Sequence, residues 1–291
     1  MRLLTFLHDG RSRVGAETDR GIVDLAVAAP ALPQTMLALL AAGADALVTA
    51  REAVARAPRG GGGVLAADRL QPLAPIPRPG KILAIGFNYR DHAEETGTPI
   101  PAAPVIFSKA CTAVIGPWAA IEIPPATTMV DYEGELAVVI GTRAKRVTRH
   151  DALRYVAGYT IMNDVSARDY QQRSGHCIAK SFDTFAPMGP VLVTADDIPD
   201  PRGLELRTLV NGEEVQHANT ADLIFDVPAL IEYISAGVTL EPGDLISTGT
   251  PGGVGFRRTP PRFLQPGDIV RIEIGGIGAL ENPVVRSVSA Q

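Results

Sequence analysis

The sequence predicts a β-rich α+β fold, and not a doubly wound one, on three observations. Short apolar runs bounded by Gly, Pro, Asn and Asp recur at 82–86, 104–108, 135–141, 156–163, 190–194, 204–217, 244–248 and 268–274, the pattern of strands joined by turns. Helical spacing is confined to a few segments, too few to supply the crossovers of a parallel sheet. Residues 70–80, LQPLAPIPRPG, are proline-punctuated and cannot form a helix interior. They read as an extended linker, which divides a small N-terminal domain, 1–72, from a larger one, 73–291.

Taken in order, residues 2–7 and 12–25 read as strands turned at Asp9-Gly10. Residues 34–57 are Ala/Leu-rich with helical spacing, interrupted at Gly43 and ended by Pro58-Arg59 and the run Gly60 to Gly63. Within 204–217, Asn211-Gly212 between alternating residues is a strong hairpin signal. Residues 221–235 read as one helix, starting near Thr220 or Asp222 and containing Pro228. The strings Pro242-Gly243-Asp244 and Pro266-Gly267-Asp268 each deliver a strand, a recurring turn and not a repeat architecture.

With 291 residues, 46% of them hydrophobic, the chain can bury a sizeable core. A net charge of −5 without a basic stripe argues against nucleic acid. The Ala/Leu-rich stretch 21–50 is broken by Asp24, Pro30, Pro33 and Asp45, so no membrane span is expected. The N-terminal apolar run is too short for a secretory signal. Two cysteines, Cys111 and Cys177, give neither a disulfide framework nor a zinc pattern, which suits a reducing cytoplasm.

The chemistry gathers in a few segments. In Asp131-Tyr132-Glu133-Gly134-Glu135-Leu136, entering an apolar strand, Glu133 and Glu135 project to one face while Gly134 leaves the other bare. Two like charges there need a cation between them, most simply a hard divalent ion, or else form a solvated acidic edge. Asp164, ending the run 155–162, offers a third carboxylate; its other reading is a helix N-cap for 165–173. His92 and Glu95 are i,i+3 if 90–96 is helical, which suits an imidazole base oriented by a carboxylate, or an incidental surface pair. Arg168 and Gln171 share a helical face, and with Lys180 could receive an anionic substrate or stand in solvent. The loop from Thr248 to Gly255 is glycine-rich but lacks the P-loop ending. It is a plain turn, or its N–H groups and the Thr250 hydroxyl await a carboxylate. Cys177 reads as structural, with His176 pointing away in a strand.

In order along the chain, Asn88-Tyr89-x-x-His92-x-x-Glu95, Glu133-x-Glu135, Asn163-Asp164-Val165-Ser166-Ala167-Arg168-Asp169, Lys180-Ser181-Phe182-Asp183-Thr184, the Thr250–Gly255 loop and the Gly275-Gly276-Ile277-Gly278 turn resemble the fumarylacetoacetate hydrolase family over roughly residues 80–285. The resemblance implies a mixed β-roll or barrel-like catalytic domain, a small N-terminal domain and a homodimer. It implies Mg²⁺ or Mn²⁺ on Glu133, Glu135 and Asp164, catalysis by His92, Glu95 and Lys180, and substrate contacts from Arg168, Gln171, Thr250 and Tyr89. His and Glu three apart are similar to the acylpyruvase and oxaloacetate-decarboxylase branch, not to fumarylacetoacetase itself. The first 70 residues resemble those of bacterial sugar-acid and aromatic-degradation members. The implied activity is hydrolysis of a C–C bond in a 2,4-dioxo acid through an enolate on the metal. Its alternatives are oxaloacetate decarboxylation or tautomerisation, hydroxymuconate-type isomerisation, or non-catalytic dicarboxylate binding.

Overall fold

A computed structural model describes residues 1–57 and 63–287; the expected break at Pro58-Arg59 and Gly60 to Gly62 lies outside the described residues. A 12-stranded sheet crosses the molecule, accompanied by a five-stranded sheet and a two-stranded ladder. At the centre of the large sheet, Gly134–Ile140 is antiparallel to Val156–Asn163 on one side and to Leu245–Ser247 on the other. Ala186–Thr194 extends the sheet beyond Val156–Asn163, and Ile82–Gly86 with Val105–Lys109 forms the opposite edge. The smaller sheet is built from Glu205–Val210, Glu213–Asn219, Ile269–Ile274 and Gly278–Arg286, with Ile121–Ile123 at its edge. The sheets form no closed barrel among the described residues.

Two cores explain the central strand's composition. Leu136, Val138 and Ile140 pack into one with Leu206, Ile272 and Ile274 of the smaller sheet. Ala137 and Val139 face a second, filled by Met36, Leu39, Leu40 and Ala50 of the N-terminal helices. A strand covered on both faces is apolar at every position and not at alternate ones.

Those helices are Met36–Ala41 and Ala44–Arg56, divided at Gly43 as the spacing predicts. The expected strand 12–25 is instead a hairpin, Arg11–Thr18 with Gly21–Asp24, because the chain turns between Thr18 and Gly21. Residues 70–80 are more than a linker, since Gln71–Leu73 pairs with Arg2–His8. The first strand also pairs with Ala186–Thr194, at Arg2↔Val193 and Leu3↔Leu192. The N-terminal segment thus shares a sheet and a core with the larger C-terminal part of the chain. The predicted helix from 221 begins later, as Val227–Gly237, capped by the Asp226 side chain on the Ala229 N–H. Pro228 dictates this, because proline fits a helix only in its first turn.

Candidate active site

Register builds the acidic cluster. Gly134 pairs with Asn163, so Glu133 and Asp164 meet at the same end of adjacent strands, joined by the Asp164 N–H on the Glu133 carbonyl at 2.8 Å. Glu133, Glu135 and Asp164 each offer an oxygen within 4.8 Å of the others, and all are buried. The face opposite them is not bare. A Cβ on Gly134 would lie 2.2 Å from Thr208 Oγ1, so the smaller sheet presses on the backbone and only glycine fits between the glutamates. Asp164 caps no helix; the helix Arg168–Ala179 starts after Ala167 without a side-chain cap.

Buried cations interleave these acids. Lys180, at the end of that helix, donates to Glu133 Oε2 and Asp164 Oδ2, both at 2.6 Å. Lys109, absent from the residues that the sequence singles out, comes from the edge strand and donates to Asp164 Oδ1 at 2.5 Å. Its only sequence signal is a lysine ending an apolar strand run. Arg168 Nε donates to Asp131 Oδ2 at 2.9 Å, and its Nη2 lies 2.7 Å from Glu133 Oε1. Asp131, likewise not expected as a site residue, is fully buried and accepts from the Tyr132, Gly255 and Phe256 N–H groups.

Burial and charge push the two glutamates apart. Burial raises Glu133, but Lys180 and Arg168 outweigh it and hold the carboxyl far below its usual range. Glu135 is pushed up to about 8 by burial, then by the charges of Asp164 and Glu133. Burial lowers Lys109 despite Asp164, whereas Asp164 and Glu133 overcome burial and raise Lys180, keeping it an ammonium. A divalent cation among the three carboxylates relieves the repulsion that lifts Glu135. An all-oxygen, carboxylate-rich donor set fits a hard ion such as Mg²⁺ or Mn²⁺.

Glu133, Arg168 and Lys180 form the floor of a cavity of about 270 Å³, lined also by His92, Gln171, His176, Thr250, Phe256 and Arg257; Glu135 and Asp164 lie buried beside Glu133. Arg90–Thr96 is helical and places His92 Nδ1 3.5 Å from Glu95 Oε2. Neither atom has a hydrogen-bond partner; such bonds commonly tighten only when substrate binds. The His92 ring stacks on Phe87, with centroids 5.8 Å apart.

The glycine-rich loop uses its N–H groups on the protein's own carboxylates. Gly249 donates to Glu135, Gly252 to Asp91, Gly253 to Glu95 and Gly255 to Asp131, at 2.8–3.1 Å. Glu95 is thereby held by one oxygen and presents the other to His92. Thr250 lines the cavity, but its hydroxyl is committed, donating to the Gly134 carbonyl and accepting from Gln216. Gln171 accepts from Arg168 Nη1 at 3.2 Å.

Tyr89 departs from the expected set. It is 0% exposed and does not line the cavity. Burial and then the charge of Glu135 push its phenol far above the usual range. It sits at the N-terminus of the His92 helix, bridged to Leu223, and so anchors that helix. His176 does not point away on a strand, as the sequence suggests. The helix kinks at Gly175, φ 76°, and His176 instead joins the cavity wall against Phe107, with centroids 5.3 Å apart. Cys177 is exposed and in no disulfide, with its Sγ 3.6 Å from Ser108 Oγ.

The profile of the family described as Fumarylacetoacetate (FAA) hydrolase C-terminal matches residues 81–285. The chain is 44% identical over 292 residues to the mitochondrial oxaloacetate tautomerase Fahd2a of Rattus norvegicus, covering 98% of this chain and 92% of that one. Among solved structures, a 2-hydroxyhepta-2,4-diene-1,7-dioate isomerase from Mycobacterium marinum is similar with a TM-score of 0.77 and 38% identity, over 99% of each chain. A maleylpyruvate hydrolase from Sphingobium, solved with manganese(II) and pyruvate, is similar with a TM-score of 0.81 and 32% identity, over 99% of this chain and 100% of that one. The tautomerase relative is mitochondrial by name, where the sequence suggests cytoplasm; among the described residues no helix is long and apolar enough to cross a membrane.

Proposed function

This chain belongs to the fumarylacetoacetate hydrolase family, and we propose that it catalyses the keto–enol tautomerisation of a 2-oxo diacid of the oxaloacetate type. The observation that carries this reading is the meeting, in one cavity, of His92, backed by Glu95, with the ammonium of Lys180 and its partner Glu133, the first acid of a buried carboxylate cluster. The tautomerase relative at 44% identity favours this reaction over the C–C hydrolysis that the sequence suggests.

Glu133, Glu135 and Asp164 would hold a Mg²⁺ or Mn²⁺ ion. The chemistry such an ion supplies when bound is that of a Lewis acid and a template for a 2-oxo carboxylate. Lys180 stays charged and stabilises the negative charge that grows on the C2 oxygen; fixed groups of this kind commonly supply the largest catalytic term. His92 moves the proton at C3. Glu95, facing Nδ1, fixes the tautomer and leaves Nε2 for the substrate. Arg168, held by Asp131 and steadying Glu133, carries Gln171 on the cavity wall. No water has to attack carbon in this sequence of steps.

A second reading, hydrolysis of a 2,4-dioxo acid, is favoured by the maleylpyruvate hydrolase neighbour. It needs a water activated by His92 at the C4 carbonyl. The two readings separate on substrate panels in Mg²⁺. Chelator-sensitive acceleration of enol-oxaloacetate decay, without fragments, supports tautomerisation. Unaltered enol decay, together with cleavage of a dioxo acid that places solvent ¹⁸O in a product carboxylate, sinks it in favour of hydrolysis.

A further inference from the structure

Three Arg and Lys side chains line the cavity, and two of them, Arg168 and Lys180, are held by buried carboxylates. Arg257 differs. Among the described residues it has no ion pair, and its one side-chain hydrogen bond goes from Nη2 to the Thr96 carbonyl at 2.8 Å. Its neighbours Arg258 and Arg262 both direct their charge to Glu213, so the missing counter-charge is particular to Arg257.

Phe256 fixes where this cation sits. The guanidinium carbons of Arg168 and Arg257 lie 4.3 and 4.9 Å from the centre of that one ring. The two groups are therefore within about 9.2 Å of each other, and both line the cavity. A guanidinium without a carboxylate partner, lining a cavity, has its charge and the donors not given to Thr96 available for an anion. The floor is taken by the 2-oxo carboxylate end of the substrate in the reaction proposed above.

We propose that Arg257 recognises the distal carboxylate of the substrate and so selects 2-oxo diacids over 2-oxo monoacids. The inference rests on the tautomerase reading for its choice of substrates. On binding, Arg257 exchanges the neutral Thr96 carbonyl for a charged acceptor. Thr96 ends the helix that carries His92 and Glu95, so recognition of the diacid occurs at the element that positions the proton-transfer pair.

The test compares enol-oxaloacetate with its 4-ethyl ester, which keeps the reacting atoms and lacks the second charge. Wild type prefers the diacid. Arg257→Gln raises KM for the diacid roughly 10- to 100-fold, the scale of a lost charge-assisted hydrogen bond, with kcat little changed and ester kinetics unaltered. Arg257→Lys falls between. Equal losses on both substrates, or no loss on either, overturn the proposal. If wild type accelerates neither enol, the tautomerase reading fails by itself. Calorimetry with 2-oxoglutarate and its 5-methyl ester in Mn²⁺ then decides the inference. A diacid preference present in wild type and absent in Arg257→Gln upholds it, and no preference in wild type overturns it.

Discussion

Asp164 lies between two lysines, with Lys109 on one oxygen and Lys180 on the other. Each ion pair is buried, so removing Lys109 leaves one buried carboxylate oxygen without its donor and the charge of Asp164 to Lys180 alone. Lys109→Met is expected to lower stability in metal-free buffer by about 1–3 kcal/mol, the usual cost of leaving a buried polar atom without its partner; urea unfolding measures it. His92 has a different task, and His92→Ala should retain Mn²⁺ binding while losing about two to four orders of magnitude in rate. Full activity in that variant would remove His92 from the mechanism. The contrast between these residues shows what can be read from sequence. His92 and Glu95 are legible because a single helical turn fixes their geometry. Lys109 is not, because its partner arrives 55 residues later, and a lysine closing an apolar strand has no mark of its own.

Elements, and not side chains alone, set the spacing of the site. The strand Gly134–Ile140 carries two of the acids, one within it and one at its entry, only because Gly134 lets the smaller sheet close over it. Gly134→Ala should cost about 1–3 kcal/mol from overpacking. Adding Thr208→Ala removes the clashing oxygen and is expected to recover part of the loss; a double-mutant cycle that is strictly additive would contradict the contact. The loop 249–255 ties the His92 helix and the acidic strand together through amides that, from sequence alone, stand open for a ligand. Most strands are legible because their apolar runs are sharply bounded. Gly278–Arg286 is not, since Pro283 interrupts it in the manner of a non-strand, and here it is an integral part of the ladder with Ile269–Ile274. The kink at Gly175 is likewise hidden, and with it the placement of His176 in the cavity wall.

Across the whole molecule, the charged cluster at and beneath the cavity is a meeting of distant segments. Asp131 and Glu133 come from the central strand region, Lys109 from the sheet edge, and Arg168 and Lys180 from one helix. An ion held by Glu133, Glu135 and Asp164 would tie the ends of two adjacent strands in the folded state alone, so it should raise the melting temperature. At 100 times its Kd the gain is about 2.7 kcal/mol. Mn²⁺ is expected to stabilise the wild-type protein and not Glu133→Gln or Asp164→Asn; equal stabilisation of all three would place the ion elsewhere. In the proposed reaction this assembly moves a proton at C3 without breaking a carbon–carbon bond. The direct measurement is enol-oxaloacetate conversion in deuterium oxide with Mg²⁺, followed by NMR. Accelerated ketonisation that places one deuterium on C3 is expected, lost in His92→Ala and on chelation. Conversion no faster than in buffer alone, or carbon–carbon cleavage in its place, would contradict it.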